Sequence, residues 1–243
     1  MSERGVIYMV WGSRVDAALE RSRRSLAAVH PELPVEVVRL DVEDPVKGLL
    51  EKATMFRRSP FRETLFLDAD TMVLGRLDYA FDKAQRFGLA CSICECPWAR
   101  RYAGLEGDLI EYNTGVLFFT DKARAVFETW ERLVAQVDSS IDLIDVRSNR
   151  VDTMAHNDQG GFAAAVEECG ASPFVLPLNW NFRAEFQPSF FGPVKIWHDY
   201  GDPPDWLIEM NQYYEEPASI IQYHEIHARR QAEAAPREQD SNE

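Results

Sequence analysis

The 243-residue sequence has no long hydrophobic run. No stretch approaches the roughly 18 to 20 apolar residues that a membrane-spanning helix needs, so we expect no integral membrane segment. The first apolar run, Val6 to Trp11, is too short for the hydrophobic region of a signal peptide and lacks a small-residue cleavage site. We therefore expect a mature cytoplasmic protein.

Cysteine is also scarce, with four residues in the chain. Cys91, Cys94 and Cys96 lie close together and Cys169 stands alone, which is unlike the disulfide framework of an extracellular domain. The four thiols could hold zinc, or the cluster could lie in a buried strand where cysteine acts as a small hydrophobic residue. Zinc ribbons usually have two close-spaced clusters, and the single cluster here favours the strand.

Basic residues are few relative to acidic ones: the sequence has 26 Lys and Arg residues and 40 Asp and Glu residues, so the formal net charge is −14. A field of this sign repels nucleic acid and anionic membranes, so neither is an expected partner. A site for an anionic ligand must therefore supply its own positive charge, from a metal ion or from individual Lys and Arg side chains.

The chain does contain a regular alternation of short apolar runs and amphipathic helices. We predict strands at 6–11, 35–38, 64–67, 88–94 and 114–119, and helices at 15–29, 46–57, 79–87 and 121–137. This alternation is typical of βαβ units. The expected fold is α/β, with a Rossmann-like, mainly parallel central sheet flanked by helices.

We assign residues 1–227 to a single domain, because no internal repeat or linker interrupts them. The polar segment 138–157 has little periodicity and is expected to form a long loop over the site. Residues 228–243 have almost no apolar anchor, so we expect a disordered tail there.

The strongest chemical signal is Asp68-Ala69-Asp70, directly after the predicted strand at 64–67. Ligands of such sheets bind at the carboxyl ends of strands, and residues i and i+2 of an extended segment point the same way. Both carboxylates can therefore face one Mg²⁺ or Mn²⁺ ion, since these hard cations prefer oxygen ligands. The alternative is a strand-terminal turn in which Asp70 caps the next segment.

Three later motifs offer further polar groups. His198 ends an apolar segment and could complete the coordination sphere, favouring Mn²⁺; taken alone, it is better explained as a partly buried histidine. Asn113, before a close-approach glycine at Gly115, could bond sugar hydroxyls or simply form a turn. Asp158 can cap the helix that starts near Gln159, and the exposed faces of this pair remain free for hydroxyl groups.

The order Asp-x-Asp, Asn-x-Gly-Val, Asn-Asp-Gln and a late His-x-x-Gly resembles the GT-A nucleotide-sugar glycosyltransferases, particularly family 8 and its bacterial relatives. The resemblance covers about residues 5–202. It implies a GT-A fold and an enzyme that transfers a sugar from a nucleotide-sugar donor, usually UDP-linked, with retention of anomeric configuration. The acceptor could be a glycan, a lipid, a protein or a small molecule.

The resemblance also implies a role for each motif residue. Asp68, Asp70 and His198 would hold Mn²⁺ or Mg²⁺ against the donor diphosphate. Asp158 and Gln159 would act in orientation and charge stabilisation. The residues that would contact the transferred sugar are Asn113, Asp158 and Gln159. Those placed near the rest of the donor are Lys52, close to the sugar and phosphates, and Tyr8 or Gly12, beside the nucleobase and ribose.

One departure from the family concerns phosphate neutralisation. The family often has a lysine a few residues after the metal-binding histidine, and the segment 198–205 contains none. Lys195 or Arg183 could substitute for it, and the spacing does not decide between them.

Two other functions are compatible with the motifs. In a phosphatase of the haloacid dehalogenase type, Asp68 would be the nucleophile, although such enzymes place it after the first strand. In a non-catalytic nucleotide-sugar-binding domain, the missing lysine would reflect lost activity.

Overall fold

The structure is a computed structural model that describes residues 3–95, 102, 104–145, 150–154, 157–187, 189–212 and 222–224. Cys96 and the predicted tail at 228–243 lie outside the described residues. The strands are β1 (Arg4–Val10), β2 (Val35–Arg39), β3 (Glu63–Leu67), β4 (Thr71–Val73), β5 (Leu89–Ile93), β6 (Tyr112–Thr120), β7 (Ile141–Asp145), β8 (Arg150–Met154), β9 (Phe174–Leu176), β10 (Ser189–Phe191), β11 (Ile196–His198) and β12 (Gln222–His224). The α-helices are α1 (Asp16–Val29), α2 (Pro45–Lys52), α3 (Met55–Arg58), α4 (Asp78–Phe87), α5 (Arg124–Leu133), α6 (Gln159–Glu168) and α7 (Asp205–Asn211).

The central sheet has six strands in the order β2-β1-β3-β6-β5-β9. β1 runs parallel to β2 and β3, and β5 runs parallel to β9, while β6 is antiparallel to both of its neighbours. Three of the five pairings are therefore parallel, which confirms the predicted α/β fold. The direction of β6 matters for the site, because it places the start of β6 beside the end of β3.

Both faces of this sheet are buried, since alternate residues of each strand enter different cores. Tyr8 and Leu67 belong to one core with residues of α1 and α4. Ile7 and Phe66 belong to the other, with residues of α5 and α6. The continuous apolar runs of β1 and β3 are thus explained by helices on both sides. No helix in the described part of the chain has the length and apolar character needed to cross a bilayer.

The helix predicted at 46–57 is divided into α2 and α3. Pro45 occupies the first turn of α2, where its missing N–H costs nothing, and the Asp44 carboxylate accepts a hydrogen bond from Val46 N at 2.9 Å. The break after Lys52 leaves this residue on the last turn of α2. The helix predicted at 121–137 begins with a 3₁₀ turn, and its α-helical part ends at Leu133.

The expectation of a long loop at 138–157 is wrong. β7 and β8 pair antiparallel in this segment, with Ile141 opposite Met154 and Leu143 opposite Asp152. Acidic residues interrupt the apolar alternation of both strands, so the two-residue period is too weak to recognise in the sequence.

The cysteines follow the strand interpretation. Cys91 lies in β5 and is buried, and Cys94 follows it in the same environment. Cys169 lies apart, where its thiol donates to Thr129 Oγ1 at 3.4 Å. Among the described residues these three cysteines form no group that could hold a metal ion, so the zinc alternative finds no support there.

Candidate metal and ligand site

The ends of β3 and β11 bring three potential metal ligands together. Asp68 follows β3 directly, and Asp70 precedes β4, which pairs antiparallel with β11 so that Thr71 lies opposite His198. The ligand atoms of Asp68, Asp70 and His198 lie within 4.8 Å of one another. His198 is 130 residues from Asp68 in sequence, and it reaches the carboxylates only because β4 and β11 pair.

The orientation of the imidazole suits a metal ligand. His198 Nε2 lies 3.3 Å from Asp70 Oδ1 and 3.9 Å from Asp68 Oδ2, while His198 Nδ1 lies 2.7 Å from Asn181 Oδ1. An amide oxygen only accepts hydrogen bonds, so in this assignment Nδ1 carries the proton and donates to Asn181. Nε2 therefore faces the two carboxylates, where a bound metal ion could replace its proton, as in histidine ligands oriented by a second polar group.

Burial and the neighbouring positive charges have opposite effects on the pKa values of Asp68 and Asp70. Burial raises the pKa of Asp68 above its ordinary value, although the Lys52 ammonium opposes the effect. Burial also acts to raise the pKa of Asp70, but the charge and hydrogen bond of His198 outweigh it and lower this pKa to about 2. Asp70 is therefore ionised over the physiological pH range, which is the form that a metal ligand needs.

A buried lysine lies behind these carboxylates. Lys52 Nζ is 3.0 Å from Asp68 Oδ1 and 3.5 Å from Asp158 Oδ2, and it donates weakly to Thr114 Oγ1 at 3.4 Å. Although burial acts to lower the pKa of Lys52, Asp158 and Asp68 outweigh it and raise this pKa. The side chain is 3% exposed, so its ammonium serves mainly as a counter-ion that joins Asp68 to Asp158. Its contact with a donor stays a prediction.

Asp158 and Gln159 lie at the start of α6, but not as expected. The Asp158 carboxylate does not cap the helix; it accepts a hydrogen bond from Thr114 Oγ1 at 2.7 Å. Gln159 Nε2 donates to Glu111 Oε1 at 3.2 Å. Both residues are buried, so the expectation of free, exposed faces is wrong. Their contact with a sugar stays a prediction, and so does that of Asn113, whose Oδ1 accepts from Gly115 N at 2.9 Å.

Tyr8 lies inside the fold. Its side chain has no exposed surface, and its hydroxyl forms a 2.9 Å hydrogen bond with Ser22 Oγ, which in turn lies 3.1 Å from Thr71 Oγ1. These contacts stabilise the packing of β1, α1 and β4, and the proposed place of Tyr8 beside the nucleobase stays a prediction. Gly12, by contrast, is exposed after β1 with a φ of 64°, and its proposed place beside the nucleobase stays a prediction.

Gly115 is required by the close approach of β6 to the metal ligands. A Cβ at this position would overlap His198 Cε1 and lie 2.7 Å from Asp68 Oδ2. The backbone carbonyl of Gly115 also accepts the hydrogen bond of Asp68 N, at 2.8 Å. The glycine therefore lets β6 pass directly behind the group formed by Asp68, Asp70 and His198.

Replacing Gly115 by alanine should displace these ligands more than it weakens the fold. We expect Mn²⁺ to bind about 10- to 100-fold more weakly, as when the groups that orient metal ligands are changed. Electron paramagnetic resonance measures the Mn²⁺ affinity, and thermal unfolding without ligand measures the fold. Val175→Ala, at an exposed position of β9, is the control. Equal Mn²⁺ affinity of Gly115→Ala and the native protein would contradict the close approach of β6 to the metal ligands.

A small cavity opens beside the metal ligands. It has a volume of about 190 Å³ and is lined by Asp70, Arg183, Glu185, His198, Asp199 and Tyr200. Arg21 secures its outer wall, donating to the backbone carbonyls of Asp199 and Tyr200. A larger cavity of about 450 Å³, near Arg4, His30 and Arg76, includes none of the predicted site residues. We therefore place the candidate site at Asp70 and His198 and not at the larger cavity.

Sequence reasoning missed two polar residues around this cavity. Asn181 lies 17 residues before its partner His198, in a segment without a metal-ligand motif. Glu95 follows β5 and lies far in sequence from its partner Arg183. Neither has a sequence signal of its own, because each acts through a partner that is distant in sequence.

No protein-family model matches the chain, and no curated protein matches it. Solved structures do resemble it in fold. The apo form of the glycosyltransferase GlyE of Streptococcus pneumoniae TIGR4 aligns with a TM-score of 0.54 and 14% identity, over 88% of this chain and 60% of that one. The chain thus spans about three fifths of GlyE.

Two further structures align over nearly their full lengths. Mouse xyloside xylosyltransferase 1 gives a TM-score of 0.51 and 13% identity, over 83% of this chain and 99% of that one. A glycosyltransferase involved in the glycosylation of the major capsid of PBCV-1 gives 0.50 and 12%, over 86% and 98%. The chain has the GT-A fold that these glycosyltransferases share, as the motif order predicted.

Proposed function

We propose that the protein is a metal-dependent glycosyltransferase that moves a sugar from a nucleoside-diphosphate sugar, UDP-linked, to an acceptor with retention of configuration. The observation that carries this proposal is the group of Asp68, Asp70 and His198 at the edge of a GT-A sheet. We further propose that residues 1–227 form one domain with this activity.

The residues present fit a divalent cation. Two carboxylates and one imidazole nitrogen are a suitable donor set for Mn²⁺, and Asn181 orients the imidazole so that Nε2 faces the carboxylates. When bound, the ion would supply positive charge against the negative charge that develops on the departing diphosphate.

The other site residues would orient the donor. Lys52 holds the carboxylates of Asp68 and Asp158 at one place, so the metal group and the start of α6 keep a fixed separation. We assign Asp158 and Gln159 to orientation of the transferred sugar and to charge stabilisation. Neither is assigned as a covalent nucleophile.

The phosphatase alternative does not suit this fold. That class places its nucleophilic aspartate after the first strand, whereas Asp68 follows the third strand of the chain. Asp68 is also bound by the Lys52 ammonium, which reduces its nucleophilicity.

A panel of nucleotide sugars with Mn²⁺ tests the proposed function. We expect slow hydrolysis of one UDP-sugar, measured as released UDP, even without an acceptor. Binding of nucleotides without release from any donor, with acceptor glycans included, would instead identify a non-catalytic binding domain. Absence of both binding and release would refute the proposal.

A further inference from the structure

The buried carboxylate of Glu95 lies near Arg183 and His198. The Glu95 side chain is 2% exposed, and among the described residues no other residue donates a hydrogen bond to its oxygens. Burial raises the pKa of Glu95, and the residue's own backbone N–H and the charge of Arg183 oppose this effect. Arg183 Nε lies 3.6 Å from Glu95 Oε1. Because an isolated buried carboxylate is costly, the nearby guanidinium is the group that makes this burial tolerable.

The backbone next to Arg183 is held by hydrogen bonds, and the guanidinium of Arg183 has N–H donors available. The preceding residue, Phe182, is bonded to β11 on both sides, since its N–H donates to Ile196 O at 2.9 Å and its carbonyl accepts from His198 N at 2.8 Å. The Arg183 guanidinium lies 4.3 Å from the centre of the Phe186 ring. Among the described residues its side chain has no ionic partner besides Glu95, so most of its donors remain available to a ligand.

The same side chain lines the 190 Å³ cavity together with Asp70 and His198. The other charged groups that line it are acidic. A donor diphosphate bound there would bring further negative charge into a protein of net charge −14, so a cation beside the metal is needed.

The other basic residues near the site are differently engaged. Lys52 is enclosed by Asp68 and Asp158, and Arg21 bonds the loop that follows His198. Lys195 precedes β11 and does not line the 190 Å³ cavity. Its Nζ lies near Trp180, 6.0 Å from the ring centre. Of the two candidates that the sequence left open, the geometry therefore selects Arg183.

We propose that Arg183, held in place by Glu95, binds the phosphate oxygens of the donor beside the metal ligands. This inference rests on the proposed function and assigns the charge that the lysine-free segment 198–205 does not supply. A planar guanidinium can donate two hydrogen bonds to phosphate oxygens, which makes this contact directional as well as electrostatic.

Calorimetric titration of UDP in the presence of Mn²⁺ tests the role of Arg183. We expect Arg183→Gln to bind UDP about 10- to 100-fold more weakly, as loss of charge-assisted hydrogen bonds predicts. Arg183→Lys should recover part of this loss. Mn²⁺ affinity without nucleotide, measured by electron paramagnetic resonance, should not change. Arg39→Gln removes an exposed arginine elsewhere and should bind UDP normally.

The variant Glu95→Gln distinguishes a role of Glu95 in positioning Arg183 from a direct effect of its negative charge on UDP. Removing a negative charge near an anion should tighten UDP binding by simple electrostatics, whereas loss of the partner of Arg183 should weaken it. We expect UDP to bind roughly 2- to 10-fold more weakly. Unchanged or tighter binding would refute the positioning role of Glu95. Thermal unfolding without ligand checks that each variant is folded.

Different results would refute the proposed function and the proposed role of Arg183. If the native protein binds no nucleoside diphosphate with Mn²⁺, including UDP and GDP, the proposed function is refuted. If the native protein binds UDP and Arg183→Gln binds it equally well, only the inference about Arg183 is refuted.

Discussion

Replacing Asp70 by alanine is expected to abolish stabilisation of the protein by Mn²⁺ and UDP. In the native protein, ligand at 100 to 1,000 times its dissociation constant should add about 2.7 to 4.1 kcal/mol to the free energy of unfolding. For a chain of this length, that corresponds to a rise in melting temperature of roughly 5 to 15 °C. Differential scanning fluorimetry with and without the ligands measures this rise.

The reason for a complete loss is the position of Asp70 in the ligand group. It is the carboxylate nearest to His198 Nε2, and its low pKa keeps it ionised as a ligand must be. The charge of Asp68 is partly neutralised by its ion pair with Lys52, so Asp68 cannot replace Asp70 as a metal ligand. Asp82→Ala, at an exposed position on α4, is the control and should retain the full rise. An undiminished rise in Asp70→Ala would show that the metal assignment is incorrect.

Replacing Lys52 by methionine should have the largest effect on stability. Methionine has a similar shape, but it leaves the buried carboxylate of Asp158 and the partly buried carboxylate of Asp68 without their shared counter-ion. Removal of one partner from a buried ion pair typically costs about 3 to 5 kcal/mol. We expect a decrease of this size in the free energy of unfolding, measured by urea denaturation. Metal and nucleotide binding should weaken with it.

Lys47→Met provides the matched control for this prediction, because Lys47 lies on the same helix but is exposed. Its effect should be small. Neutralising one of the stranded carboxylates, in the double variant Lys52→Met/Asp158→Asn, should recover part of the lost stability through coupling between the two sites. Equal stability of the two single methionine variants would contradict the counter-ion role of Lys52.

The sequence could place Asp68 and Asp70 at one sheet edge because the signal for this position is local. Asp68 and Asp70 follow an apolar strand directly, and the carboxyl end of a strand is recognisable from a few consecutive residues. His198 was included because of its place in a motif order, and the structure brings its imidazole within reach of both aspartates. The burial of Tyr8 could not be predicted, because a strand buried on both faces gives no indication of which residues point toward a ligand.

The sequence by itself determined the alternation of strands and helices, the two-faced burial of the sheet and the carboxylates at the end of β3. These features depend on hydrophobic period and on neighbours in the chain. Only the tertiary structure decided that β6 runs antiparallel, that Asn181 orients His198, that Lys52 joins Asp68 to Asp158 and that Arg183 rather than Lys195 faces the cavity. Each of these depends on contacts between residues far apart in the chain, whose distances and buried charges exist only once the strands have paired.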